Sequence, residues 1–241
     1  MERVRSIYTM MTGWSAGFAT AGLLLANSLK VEKEPSFVLA MVLGWLAFLV
    51  YALNQKVSGV LASKNRQWSS AEKKELVVSL IKKEGWTALF PMAALLFMAD
   101  WKTWITVWLV GVVAMAYSYP FLGKEWRKIP GAKGLFLTFS WLLITGIPLW
   151  ASAQPLIWLD NGLFIFLTTQ IFDWRDRQKD HERKTRTLPL ILGARWFKLI
   201  FTLLATGWAF LVPPQEHFWM GLCCLSWILF LAIPIPRKYY G

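Results

Sequence analysis

Eight long apolar stretches, separated by polar segments, constrain this chain more than any other feature of its sequence. They lie at 7–28, 36–53, 86–100, 103–122, 135–153, 155–172, 197–212 and 217–236. A bilayer core about 30 Å thick is crossed by roughly 20 apolar residues of helix, so these stretches predict membrane-spanning helices. The apolar fraction of 56% exceeds that of an ordinary soluble domain. We therefore predict an all-α fold, a polytopic transmembrane helical bundle of about eight spans that forms a single domain over residues 1–241.

The positive charges are distributed unevenly between alternate loops. Of the 26 Lys and Arg residues, all but Lys30, Lys33 and Lys102 lie near the two chain ends or within or next to the loops that follow the second, fourth and sixth apolar stretches. Because Lys and Arg accumulate on the cytoplasmic side of membrane proteins, this bias sets an orientation. We predict a multi-pass integral membrane protein with both termini in the cytoplasm.

The net charge of +12 follows from the same loops. Its basic residues are dispersed between apolar stretches instead of forming one basic domain, which argues against a nucleic-acid partner. Basic loops beside a bilayer are instead suited to contact with anionic membrane lipids.

The loop after the second apolar stretch contains an amphipathic segment. Within residues 70–84, Leu76, Val77, Leu80 and Ile81 form one apolar stripe between lysines. This pattern predicts a helix that lies on the cytoplasmic membrane interface. Two roles remain open for it, a lid over an opening in the bundle or an anchor on the lipid surface.

Three aspartates follow the sixth apolar stretch. Asp173, Asp176 and Asp180 stand at i, i+3 and i+7, which places them along one stripe of an α-helix. Clustered carboxylates repel one another and need basic neighbours or a cation between them. Arg175 and Arg177 are interleaved with them, so the stripe is either a solvated set of ion pairs or a site for a divalent metal.

The turn before these aspartates is also polar. Thr168, Thr169 and Gln170 end the sixth apolar stretch. Polar side chains on the last turn of a spanning helix are expected to face a protein interior or a water-filled cavity, which makes them candidates for a functional site.

Three segments at the ends of apolar stretches occur in a characteristic order. The aspartate segment, Asp173-x-x-Asp176-x-x-x-Asp180, is followed by Thr187-Leu188-Pro189. Earlier in the chain are Tyr117-Ser118-x-Pro120 with Lys124, and before these Asn54 with Asn65-Arg66. In spacing and order these segments resemble the motifs of the UbiA superfamily of intramembrane prenyltransferases, and the hydrophobic pattern agrees over nearly the whole chain.

The resemblance implies transfer of a prenyl group from an isoprenoid diphosphate to a lipophilic acceptor, with an aromatic compound as the expected class. It implies that Asp173, Asp176 and Asp180 hold Mg²⁺ against the diphosphate. It also implies catalytic roles for Tyr117 and Asp176, with the Tyr117 ring stabilising an allylic cation. The residues implied to bind the substrate are Asn54, Arg66 and Lys124.

A second hypothesis comes from the first motif. That motif carries aspartates in the family, whereas this chain has Asn54, Gln55, Ser58 and Ala62 in its place. Magnesium favours carboxylates and water as ligands, so half of a two-sided metal site is missing. The alternative function is that of a catalytically degenerate UbiA-like protein, which serves as a structural or a quinone- or pigment-binding subunit of a larger membrane complex.

Overall fold

The computed structural model of the protein describes residues 2–31, 34, 36–63, 75, 78, 79, 82, 85–118, 129–151, 155–182, 185–211 and 217–232. Its α-helices are α1 (Glu2–Lys30), α2 (Phe37–Ser63), α3 (Leu89–Met98), α4 (Trp101–Ser118), α5 (Ala132–Thr145), α6 (Pro155–Arg175), α7 (Arg177–Glu182), α8 (Leu188–Leu211) and α9 (His217–Ala232). Short 3-10 helices lie at Gly85–Ala88 and Ile147–Ala151. No strand occurs among the described residues, so the predicted all-α class is confirmed.

Helices lie at the predicted apolar stretches, although several bounds differ. The stretch at 86–100 is divided between a 3-10 helix and the ten-residue α3. The helix predicted at 197–212 begins earlier, at Leu188, and contains a kink at Gly193. Two described helices, Pro155–Arg175 and Leu188–Phe210, are long and apolar enough to cross a membrane. The shorter apolar helices lie at Phe37–Ala52, Trp86–Met98, Trp101–Val113 and Ala132–Thr145.

The chain packs into two compact units, of which the first comprises Met1–Val110 and Ile144–Ser152. Within it, α1 and α2 approach closely where Gly17 faces Gly44. A Cβ atom at Gly17 would lie 2.8 Å from the Gly44 carbonyl oxygen, which is closer than real Cβ atoms approach. The lack of a side chain at Gly17 and at Gly44 therefore allows these two helices to pack closely. In the same unit, Asn27 of α1 donates a hydrogen bond of 2.8 Å to the Thr145 carbonyl at the end of α5.

The second unit comprises Gly111–Leu143 and Ala153–Gly241. Its apolar core lies between α6, α8 and α9 and is rich in aromatic rings. Trp208 is fully buried there, packs against Phe164 and Trp227, and donates a 2.8 Å hydrogen bond to Asp160. The aspartate segment lies at the end of α6 in this unit, so its position is fixed by a well-packed core.

The predicted amphipathic helix falls mostly outside the described residues. Positions 75, 78, 79 and 82 are helical and exposed. The apolar stripe of Leu76, Val77, Leu80 and Ile81 lies outside the described residues, so the lid and the anchor both stay predictions.

Candidate functional site

Helical hydrogen bonding continues from the end of α6 into α7. α6 ends at Arg175, Asp176 is a turn residue, and α7 begins at the next position. The Asp176 N–H donates to the Phe172 carbonyl at 2.9 Å, and the Asp180 N–H donates to the Asp176 carbonyl at 2.9 Å. Both bonds have the i to i−4 spacing of an α-helix. Asp173 and Asp180 therefore lie two turns apart on the same face.

Lys133, the second residue of α5, lies between these two carboxylates. Its Nζ is 2.8 Å from Oδ1 of Asp173 and donates a hydrogen bond of 2.6 Å to Oδ2 of Asp180. The two aspartate side chains are only 2% and 3% exposed. Charges removed from water are tolerated when they are paired, so Lys133 stabilises the burial of both carboxylates in one place.

Asp176 makes a different contact. Its Oδ1 accepts a 2.9 Å hydrogen bond from Arg175 Nε, and its Oδ2 accepts one of 3.1 Å from Arg175 Nη2. The structure thus joins Asp173 and Asp180 through Lys133, while Asp176 pairs with its sequence neighbour. Among the described residues, no group of three or more His, Cys, Asp or Glu side chains is arranged to hold a metal ion.

Gln170 occupies the space beside Gly134. A Cβ atom at Gly134 would overlap Nε2 of Gln170 and would lie 3.6 Å from Oδ2 of Asp173. The amide of Gln170 and the carboxylate of Asp173 therefore both lie close to the α5 backbone. Gln170 and Thr169 are buried and Thr168 is partly buried, so the prediction that these polar residues face the protein interior is confirmed for two of the three.

Five buried side-chain oxygen atoms among the described residues of this unit have no hydrogen-bond partner. They are both carboxylate oxygens of Asp173, Oε1 of Gln170, and the hydroxyl groups of Thr185 and Thr187. The contact between Lys133 and Asp173 is thus an ion pair without a well-directed hydrogen bond. Buried polar atoms nearly always have a partner, so these oxygen atoms are candidates for binding a group that supplies donors or positive charge.

The segment that carries the two threonines is connected to the same cluster through its backbone. The Thr185 N–H donates to the Asp180 carbonyl at 2.9 Å, and the Gly131 N–H donates to the Arg186 carbonyl at 2.8 Å. These bonds link the segment before α8 to α7 and to the residue that precedes α5. The sequence Thr187-Leu188-Pro189 therefore lies beside the aspartate segment in space as well as in the chain.

Four predicted site residues are not placed by the structure. Arg66 and Lys124 lie outside the described residues. Asn54 and Tyr117 belong to α2 and α4, but their side chains lie outside the described part of the chain. Their roles in substrate binding and catalysis stay predictions.

Sequence reasoning missed the role of Lys133. The only signal was that Lys133 is the single charged residue in the sequence of α5, close to the two glycines at 131 and 134. From the sequence alone, Lys133 is one of many predicted cytoplasmic charges, because no sequence pattern relates it to Asp173 and Asp180, which lie 40 and 47 positions further along the chain.

Comparison of the whole chain with known proteins gives no match to a family model, to a curated protein or to a solved structure.

Proposed function

We propose that this chain is a UbiA-like intramembrane prenyltransferase, which transfers a prenyl group from an isoprenoid diphosphate to a lipophilic acceptor of the aromatic class with the help of Mg²⁺. The observation that carries the proposal is Asp173, a buried carboxylate at the end of a long apolar helix. Among the described residues, its Oδ2 has no hydrogen-bond donor, and its Oδ1 has only the ion pair with Lys133 at 2.8 Å. An incompletely satisfied carboxylate of this kind is suited to a cation that arrives with a substrate.

The proposal includes a multi-pass topology of about eight spans with both termini in the cytoplasm. It is supported by the uneven distribution of Lys and Arg and by the apolar surface of the described residues. Large apolar side chains such as Phe90, Phe97 and Phe210 are between 79% and 90% exposed. A soluble protein rarely exposes so many large apolar groups, whereas a surface that faces lipid does.

The oxygen atoms of the cluster fit a magnesium ion in their chemistry. Magnesium binds hard oxygen ligands, and Asp173, Asp180 and Gln170 supply two carboxylates and an amide oxygen. Oδ2 of Asp173 and Oε1 of Gln170 are buried acceptors without donors. Two carboxylates and one ammonium group also leave a net charge of −1, which favours the binding of a cation. Asp173 and Asp180 would hold the ion, and Asp176 would contribute as the third predicted ligand.

The other roles in the proposed reaction are assigned to further residues of the chain. When bound, magnesium would stabilise the charge that develops on the departing diphosphate. Lys133 keeps Asp173 and Asp180 together and oriented, because it contacts both. In the proposal, Arg66 and Lys124 bind the diphosphate, Asn54 contributes to the same subsite, and Tyr117 presents a ring face to the allylic cation.

One observation favours the second candidate, a catalytically degenerate UbiA-like subunit of a membrane complex. The ammonium group of Lys133 already lies between the Asp173 and Asp180 carboxylates. A tethered cation in this position can serve a purely structural purpose by allowing the aspartates to stay buried. In that case the cluster stabilises a scaffold that binds a quinone or a pigment.

Turnover separates the two candidates. The purified protein, reconstituted with Mg²⁺ and prenyl diphosphates of several chain lengths plus an aromatic acceptor, is expected to release diphosphate. Asp173→Asn is expected to lower this rate by about 100-fold, in line with the loss of one electrostatic contact in a transition state. Asp100→Asn is the matched control, because Asp100 caps α4 through a 2.8 Å bond to the Thr103 N–H and asparagine caps equally well.

The scaffold function predicts a different pattern. The unsubstituted protein would release no diphosphate from any substrate tested, it would co-purify with a larger complex, and Asp173→Asn would leave that complex intact.

A further inference from the structure

A second polar cluster surrounds Trp174, and the proposed reaction does not use it. The guanidinium carbon of Arg177 lies 4.0 Å from the centre of the Trp174 ring, and Lys198 Nζ lies 5.2 Å from it. The ring of Phe197 stacks on Trp174 with a centre-to-centre distance of 5.4 Å and an angle of 6° between the planes. Two cations therefore lie against one buried aromatic side chain.

Two hydrogen-bond donors in this cluster have no acceptor. Trp174 is 3% exposed and its Nε1–H group is unbonded. The Nη1 atom of Arg177 is also buried and unbonded. Contact with the face of an aromatic ring stabilises the charge of a guanidinium group, but its in-plane N–H groups still require acceptors. Both unbonded groups are donors only, so what is missing is an acceptor.

The nearby carboxylates do not supply that acceptor. Asp173 and Asp180 are paired with Lys133, and Asp176 is paired with Arg175. Within the part of the chain that the structure describes, neither Arg177 nor Lys198 forms an ion pair. Arg177 and Lys198 therefore give the surroundings of Trp174 an excess of positive charge.

We infer that Trp174, Arg177 and Lys198 form a binding site for a phosphate-bearing anion. Arginine presents parallel N–H groups that match phosphate oxygens, and lysine adds a compact positive charge. The indole N–H group would supply a further hydrogen bond. The phosphate can belong to the headgroup of an anionic lipid or to a soluble diphosphate, and both offer the same oxygen atoms. The site consists of residues separate from the proposed magnesium ligands, so it does not depend on the prenyl transfer reaction.

Binding measurements with two probes test this site. Inorganic diphosphate is titrated into the full-length detergent-purified protein by calorimetry, with a chelator present so that no metal contributes to binding. Retention of phosphatidylglycerol relative to phosphatidylcholine is measured by native mass spectrometry. Arg177→Gln and Lys198→Gln are each expected to weaken the binding of one of the two probes by about tenfold or more. Hydrogen bonds to charged groups are stronger than those between neutral groups.

Lys102→Gln is the matched control. Lys102 also lies over a tryptophan, with its Nζ 5.9 Å from the Trp101 ring centre, and among the described residues no other cation lies over that ring. Removal of the Lys102 charge is expected to leave the binding of both probes unchanged. The unfolding midpoint of each variant shows whether it is folded, and if Arg177→Gln does not fold, Lys198→Gln and Arg177→Lys carry the test.

Each result has one meaning. Weaker retention of phosphatidylglycerol alone identifies a lipid headgroup, and weaker binding of inorganic diphosphate alone identifies a soluble ligand. The inference is overturned if folded variants bind both probes as the unsubstituted protein does, or if the unsubstituted protein binds neither. Prenyl transfer is not measured here, so failure of this site and failure of the proposed enzyme are distinguishable.

Discussion

The ammonium group of Lys133 lies 2.6 Å from Oδ2 of Asp180, although 47 positions separate the two residues in the chain. The same group lies 2.8 Å from Oδ1 of Asp173. One side chain on the first turn of α5 therefore joins the end of α6 to α7. This makes Lys133 the residue on which the buried arrangement of the aspartate segment depends.

Replacement of this lysine by a neutral side chain is expected to destabilise the protein. Lys133→Met leaves two buried carboxylates without a counter-charge, and breaking a buried pair from one side costs about 3–5 kcal/mol. The expected result is a clearly lower unfolding midpoint in detergent. Lys102→Met, the control at a partly exposed lysine, is expected to change the free energy of unfolding by less than about 1 kcal/mol.

A combined variant shows whether charge is the cause. Lys133→Met together with Asp173→Asn and Asp180→Asn removes all three charges, so most of the lost stability is expected to return. If the triple variant is as unstable as Lys133→Met, the loss comes from packing and the explanation through buried charge is wrong.

A methyl group at Gly134 is expected to displace the buried side chain of Gln170. A Cβ atom there would overlap the buried Gln170 amide, so Gly134→Ala forces that side chain away from Asp173. Overpacking of this kind costs about 1–3 kcal/mol, which a denaturation curve resolves. At Gly111, another helical glycine, a Cβ atom would meet nothing within 4 Å. Gly111→Ala is therefore expected to be neutral or slightly stabilising, and equal effects at both positions would contradict the proposed close approach.

Gly193 is expected to resist substitution because of its backbone conformation. Its φ of 73° and ψ of 164° lie in a region that is almost exclusive to glycine, although a Cβ atom would meet nothing within 4 Å. Gly193→Ala is expected to cost about 1–3 kcal/mol. Gly207 in the same helix also has open space around it, so Gly207→Ala serves as the control. A Gly193→Ala variant as stable as Gly207→Ala would show that the kink in α8 does not need glycine.

The sequence was sufficient for the helical class and for a helix at each apolar stretch, because long apolar stretches leave few other structures available. It did not give the bounds, since α8 begins nine residues before the predicted stretch at 197–212 and α2 extends to Ser63. It also placed Asp173 and Asp180 on one helical face, since a spacing of seven residues is two turns. The burial of Gln170 followed from the same logic, because a polar residue on the last apolar turn must face something other than lipid.

Other features could not be predicted from the sequence. Lys133 contacts two aspartates that lie on other helices, far away in the sequence. As the one charged residue of an apolar helix, it resembles an ordinary lysine near a membrane interface. The pairing of Asp176 with Arg175 depends on local side-chain geometry that the spacing of charges does not determine. The kink at Gly193 was not predicted, because the apolar stretch at 197–212 begins after this residue, whereas the helix begins at Leu188.

The central claim, that Asp173 and its neighbours take a divalent cation, is tested most directly by Mn²⁺ binding. Electron paramagnetic resonance counts the bound ion while the protein is held with a prenyl thiolodiphosphate, an analogue that resists cleavage. We predict bound Mn²⁺ in the unsubstituted protein and in Asp100→Asn, and its loss in Asp173→Asn. Equal Mn²⁺ binding by Asp173→Asn, or none by the unsubstituted protein, would contradict the claim.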